Sequence, residues 1–176
     1  MAAKDDAAAQ PGGTRTGFGS DRHPFGAGDG LRLGGIEIAG APRLHGHSDG
    51  DAALHAAANA LLGAAGIGDL GELYPADERT PQGSASSVFV RDVVTRLAAL
   101  GWRPASLDLT IRGARPRLAP HVSAMRDAIA RLLRVDPGAV GVKTSTGNLS
   151  GDAGAGRVIE AEAIATIVRS TDGGGR

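Results

Sequence analysis

The chain has 176 residues, with 19 Lys and Arg balanced by 19 Asp and Glu, so its formal charge is zero at pH 7. That length suits one domain with its own core, and the missing basic excess argues against a nucleic-acid partner, whose phosphates would have to be neutralised. There are no cysteines, no apolar run long enough for a membrane span and no apolar signal core beside Lys4, Asp5 and Asp6, so disulfides and thiolate metal sites are excluded, any metal must use histidine and carboxylate ligands, and the expected compartment is the cytoplasm.

Residues 1–14 are rich in Ala, Gly and Asp without periodicity and read as a disordered tail, as do residues 171–176, which end in Gly-Gly-Gly-Arg. One folded domain is left over 15–170. Arg15 to Asp21 reads as a strand, and Pro24 is expected to end its ladder. Leu31 to Leu33 and Ile36 to Ile38 alternate around Gly34-Gly35, a dipeptide suited to a two-residue hairpin turn. Ser48 to Ala65 reads as a helix capped by Ser48, with Asp51 completing a capping box, and Gly66 and Gly68 ending it.

A second helix is predicted over Ala85 to Leu100, with Val90, Val93, Val94 and Leu97 on one face. Leu107 to Arg112 alternates as a strand, and Pro120 to Leu133 carries the helical stripe Val122, Met125, Ile129 and Leu132. Strands follow at Val140 to Ser145 and Val158 to Val168. In the last, Ile159, Ala161, Ala163, Ala165 and Ile167 fall on one side, with Glu160, Glu162 and Thr166 on the other. That polar side suits either a solvated sheet face or a polar subunit interface. The order of elements predicts an α/β fold of the α+β type, a single domain in which helices pack on one face of a mixed sheet.

Four stretches can carry chemistry. In Asp21-Arg22-His23, strand alternation puts Asp21 and His23 on one face, where both can reach one ion, and Arg22 on the other. In His45-Gly46-His47-Ser48-Asp49-Gly50-Asp51 with His55, the i, i+4, i+8 spacing of His47, Asp51 and His55 lets them share a helix face. The helix start adds free N–H groups for an anion. Gly66-Ile67-Gly68-Asp69-Leu70-Gly71 permits close backbone approach to a ligand, or is an ordinary helix stop. Lys143-Thr144-Ser145-Thr146-Gly147-Asn148 follows a strand and can either bind phosphate oxygens or form a plain turn.

Together these stretches resemble the 2-C-methyl-D-erythritol 2,4-cyclodiphosphate synthase family. The resemblance rests on Gly17 to Phe25, Leu33 to Ile36, His45 to Asp51 with Leu54-His55-Ala56, and Leu61 to Gly71, and more weakly on Tyr74-Pro75, Pro116-Arg117-Leu118 and Lys143 to Thr146. It implies a homotrimer with active sites between subunits. It also implies a catalytic zinc, or another divalent metal, on Asp21, His23 and His55, with the fourth position left for a substrate oxygen. His47 and Thr146 match positions that stabilise the transition state. Substrate contacts are implied for Asp21, Arg22, His23, His47, Ser48, Asp69, Leu70, Gly71, Tyr74, Asp77, Gly113, Arg117, Leu118, Ser145, Thr146 and Asn148, with Gly113 to Ala119 and Ser145 taking the cytidine part of a CDP-linked substrate.

The sequence also departs from the family pattern. Ala76 stands where an Asp is usual, and Gln82 to Ser86 lacks both charges of the usual Lys-Gly-Ala-Asp-Ser. Gly147-Asn148 replaces Thr-Glu, whose Glu helps hold a second metal, Mg²⁺ or Mn²⁺; a neutral amide is a poorer ligand for such a hard cation. Ala155 replaces an Arg. Three readings stay open: a working family member with a relaxed second-metal site, a diverged paralogue acting on another phosphorylated substrate, and a non-catalytic trimer that binds a nucleotide or protein.

Overall fold

The computed structural model describes residues 13–170; of the expected tails over 1–14 and 171–176, residues 1–12 and 171–176 lie outside the described residues, but Thr14 is not part of a tail, since it opens the first strand opposite Val168. The elements run β1 (Thr14–Leu33), β2 (Ile36–Leu44), α1 (Ala52–Ala65), α2 (Leu70–Leu73), α3 (Ser86–Ala99), β3 (Trp102–Arg112), α4 (Val122–Leu133), β4 (Val140–Ser145), α5 (Gly151–Gly154) and β5 (Val158–Arg169). The strands form one sheet in the order β2-β1-β5-β3-β4, with β3 and β4 parallel and the other neighbours antiparallel. This is the mixed sheet expected from the sequence, in a single α+β domain.

Every alternate residue of β5 from Ile159 to Ile167 is buried beneath α1, which lies on β1 and β5; α3 packs beside it against β3, and α4 covers β4. Nearly all of α1 is buried, from Ala52 to Ala65, as befits a helix apolar on all sides. Its contact with β1 is unusually close. A Cβ on Gly19 would overlap the Ala56 carbonyl oxygen and the Ala60 nitrogen, and one on Gly17 would overlap Ala60 O and Ala64 N. Glycine on the strand and alanine on the helix let the two backbones approach to this distance. The opposite face of the sheet exposes Phe18 (61%) and Ile164 (49%), beside the ion pairs Arg112–Glu162 at 2.7 Å and Arg22–Glu160 at 3.9 Å.

Three local expectations are corrected. The ladder of β1 with β5 does end at Pro24, as expected, but the strand does not stop at Asp21: β1 is one strand of 20 residues that runs on to Leu33. Pro24, lacking an N–H, stands where β1 leaves β5 and turns to β2; its carbonyl accepts from His45 N at 2.8 Å, and the next donor, Phe25 N, goes to Arg157 O at 3.1 Å. The register shifts that follow absorb the bend. Strand β3 begins at Trp102, five residues before the predicted start, with an irregularity at Pro104.

Ser48 is not the cap of α1. Asp51 is, its Oδ1 accepting from Leu54 N at 3.0 Å. The same carboxylate accepts from Gly34 N and Gly35 N, each at 2.8 Å, and so ties the hairpin turn to the helix start. Both glycines have positive φ, as a two-residue hairpin requires. Asp51 is 1% exposed. Asp51→Ala would remove a cap worth about 1 kcal/mol and leave buried N–H groups unpaired at about 1–3 kcal/mol each. A loss of roughly 3 kcal/mol is expected, read as a lower urea midpoint at unchanged slope.

Candidate active site

The site is built where β1 passes beneath the first turn of α1. Alternation along β1 puts Asp21 and His23 on its helix side, in line with Gly17 and Gly19. Seating α1 on those glycines brings His55 down to them. Asp21 Oδ2 lies 2.8 Å from His23 Nε2 and 3.0 Å from His55 Nδ1, and the two ring nitrogens are 3.2 Å apart. The three ligand atoms form a group that could hold a metal ion. Their N, N, O donor set fits zinc, with a position to spare for a substrate oxygen.

The ring orientations also fit. His23 Nδ1 is 2.7 Å from the His45 carbonyl oxygen, which can only accept, so Nδ1 carries a proton; the protonated ring donates Nε2–H to Asp21, and the neutral ring would leave Nε2 bare for a metal. His55 Nε2 lies 2.9 Å from Ser86 Oγ and 3.1 Å from Ser48 Oγ, on the side away from the ligand cluster. Burial opposes ionisation of Asp21, but hydrogen bonds and charge from His23 and His55 outweigh it and hold the carboxyl well below the usual range. Burial likewise works against a charged His23, and the hydrogen bond and charge of Asp21 override it, pushing the imidazole up.

Around the ligands opens a pocket of about 440 Å³ lined by His47, Ser48, Leu70, Gly71 and Tyr74, together with Asn59, Pro75, Ala76, Thr80 and Phe89. His47 does not share a helix face with Asp51 and His55 as the spacing predicts, because α1 begins after it; its Nε2 instead meets Thr80 O at 2.5 Å. Asn59 Oδ1 accepts from Leu70 N at 2.9 Å and sets α2 against the pocket. Tyr74 stacks on Phe89 at 4.4 Å between centroids, and its hydroxyl donates to Asp92. Burial, then the Asp92 carboxylate, push the Tyr74 phenol up to about 12, so it stays a neutral donor.

A second pocket, of about 230 Å³, gathers Gly113, Arg117, Leu118, Ser145 and Thr146 from the far end of β3 and β4, and shares no lining residue with the first. Four of the sequence's candidate substrate contacts line neither pocket. Arg22 projects from the other side of β1 towards Asp152 and Glu160. Asp69 caps α2, accepting from Glu72 N at 2.9 Å. Asp77 is paired with Arg79 at 2.7 Å, and Asn148 sits in a short turn with φ of 53°.

Sequence reasoning missed Asn59, Thr80, Phe89 and Ser86. Asn59 lies one helical turn beyond His55, a spacing that could have revealed it. The others come from a loop and helix whose approach to His55 only the packing sets.

The chain is 44% identical over 154 residues to the 2-C-methyl-D-erythritol 2,4-cyclodiphosphate synthase of Gemmatimonas aurantiaca, covering 88% of this chain and 93% of that one. Among solved structures it superposes on the bifunctional IspDF from Campylobacter jejuni with a TM-score of 0.85 at 30% identity, covering 90% of this chain and 43% of that longer one. A 2C-methyl-D-erythritol-2,4-cyclodiphosphate synthase in its CDP-bound form matches with a TM-score of 0.76 at 36% identity, over 87% of this chain and 99% of that one. Fold, site and relatives define an enzyme, a lyase of the cyclodiphosphate-synthase type acting on phosphorus–oxygen bonds. The chain belongs to the YgbB family, whose model matches residues 14–168.

Proposed function

We propose that this enzyme cyclises a CDP-linked methylerythritol 2-phosphate to 2-C-methyl-D-erythritol 2,4-cyclodiphosphate with release of CMP, in non-mevalonate isoprenoid biosynthesis in the cytoplasm. The observation that carries the reading is the convergence of Asp21 Oδ2, His23 Nε2 and His55 Nδ1 in the lining of a pocket shared with His47 and Ser48. An oxygen of the 2-phosphate attacks the β-phosphorus, the β-phosphorus–oxygen bond to CMP breaks, and CMP leaves. A zinc ion on the three ligands would act as Lewis acid and template for the diphosphate.

The chain's own groups do the rest. His47, Ser48 and the backbone at Gly71 orient the phosphate arm, and Gly113, Arg117, Leu118 and Ser145 receive the cytidine part. Thr146 supplies a hydroxyl to the charge that develops at phosphorus. Holding the two phosphate groups together is itself a large part of the acceleration.

The two pockets are separate within one chain, which supports a homotrimer whose sites combine the metal pocket of one subunit with the second pocket of the next. The exposed Phe18 and Ile164 on the open sheet face supply an apolar surface for that association. Light scattering is expected to give three times the monomer mass.

Chromatographic detection of CMP, after zinc-loaded protein meets the CDP-linked substrate, tests the reaction; no release of CMP defeats it. A second reading, a diverged paralogue using another nucleotide-linked substrate, is favoured by Asn148, a neutral amide where the family pattern has a carboxylate for a second metal, Mg²⁺ or Mn²⁺. It predicts tight binding of a different nucleotide diphosphate ester in calorimetry.

A further inference from the structure

We infer that Asp49 and Ser86 form a hydrogen-bond relay that positions His55 as a metal ligand, by fixing the proton of its ring on Nε2. The inference rests on the metal reading of Asp21, His23 and His55, and its geometry lies outside that cluster.

Ser86 opens α3 and is fully buried. Its Oγ stands between two partners, His55 Nε2 at 2.9 Å and Asp49 Oδ1 at 2.5 Å. Asp49 also accepts from Ser86 N at 3.1 Å through Oδ2 and from Asp51 N at 3.2 Å through Oδ1. All its partners are donors, as an ionised carboxylate requires. The Ser86 hydroxyl proton therefore points at Asp49, and only a lone pair is left for His55. A lone pair demands Nε2–H, and a neutral ring with Nε2–H carries its bare nitrogen at Nδ1, the atom that faces Asp21 and His23.

Ser48 cannot set this direction. Its Oγ accepts from Gly50 N at 3.2 Å, and among the described residues its own proton has no acceptor besides His55 Nε2 at 3.1 Å. Ser48 could equally receive a proton from the ring or give one to it. Asp21 pulls the other way, because its carboxylate lies 3.0 Å from His55 Nδ1 and would welcome a proton there. The relay opposes that pull and favours the tautomer with a free ligand atom. Partners of this kind orient metal-bound histidines and raise their basicity, and losing one typically costs about 10–100-fold in metal affinity. Ser86 and Asp49 are thus positioning residues, acting through His55.

The test compares the wild type, Ser86→Ala, Asp49→Asn and the double variant. Zinc affinity is measured against a chromophoric chelator, and the cobalt-substituted proteins are compared by visible spectrum. Ser86→Ala is expected to weaken zinc by about 10–100-fold and to alter the cobalt spectrum. Asp49→Asn should act in the same direction, because Ser86 Oγ–H and Ser86 N engage different oxygens of Asp49 and the amide turns one of these into a donor. Adding it to Ser86→Ala should cost less than about twofold more, since both act through one chain of bonds.

Zinc affinity within about twofold of wild type in Ser86→Ala overturns the relay, as does a full additional loss from Asp49→Asn in the Ser86→Ala background. If Ser86→Ala does not fold, the affinity and cobalt spectrum of the nearly isosteric Asp49→Asn decide by the same criterion. A wild type that binds no zinc would instead defeat the metal reading itself. A purely structural role would lower the melting temperature of the metal-free protein and leave affinity and spectrum unchanged.

Discussion

Gly19→Ala is expected to cost more than about 3 kcal/mol of folding stability and, in whatever still folds, to weaken metal binding at least about tenfold. The added methyl would not meet a side chain that can rotate away. It would meet the backbone of α1, at Ala56 O and Ala60 N. Ordinary overpacking of a core costs roughly 1–3 kcal/mol because neighbouring side chains yield. Here a whole helix must lift from a strand that is itself paired, Gly19 lying opposite Ala163 of β5. Such a loss is a large part of the roughly 5–15 kcal/mol by which domains are stable. The lift also falls beside the site, because Ala56 follows His55 directly. Any displacement there draws His55 Nδ1 away from Asp21. Urea denaturation and chelator competition read the two effects. A midpoint indistinguishable from wild type would mean that α1 does not rest on β1 as described. Val88→Ala, at a position 51% exposed, is the control and should change stability by no more than about 0.5 kcal/mol.

The same contact explains what the sequence discloses and what it hides. Elements whose signal is local are plain in it. Gly34-Gly35 makes its turn because both residues must take positive φ, and the alternation from Ile159 to Ile167 reads out directly as a buried face. Asp21 and His23 share a face for the same local reason. Features set by distant partners are not plain. Nothing near Pro24 signals that β1 continues for nine more residues, because the continuation depends on β2 and on the Arg157 carbonyl. Ser48 has the composition of a cap, yet Asp51 takes the role because it also reaches the hairpin N–H groups 16 and 17 residues earlier. His55 becomes a partner of Asp21 only through the glycines at 17 and 19, whose spacing matches a helix of alanines more than 30 residues away. Ser86 lies 31 residues beyond His55, in a stretch that reads as an unremarkable helix start.

His55→Ala is expected to reduce kcat/KM by at least about 10³-fold while leaving the metal-free fold nearly intact. Without Nδ1, the protein offers only Asp21 and His23, one donor short of the three that catalytic zinc sites use. Losing the Lewis acid and template removes several kcal/mol of transition-state stabilisation, and each 1.36 kcal/mol is tenfold in rate. The fold has less at stake. The Asp21–His23 pair remains at 2.8 Å, α1 keeps its cap at Asp51, and the losses are the hydrogen bonds of the ring with Ser86 and Ser48, the edge contact with His23 and the tilted contact with Phe89. These opposite expectations separate ligand from scaffold. Wild-type protein should melt higher with zinc than with a chelator, because a ligand that binds only the native state stabilises it in proportion to the logarithm of its concentration over Kd. In His55→Ala that difference should collapse, with the chelator curve shifted by only a few degrees. Ser86→Ala should fall between the two, retaining all three ligands but holding one of them less well. A His55→Ala variant that kept the zinc-dependent rise and released CMP within tenfold of wild type would remove His55 from the ligand set, and with it the reason for α1 to sit so close to β1.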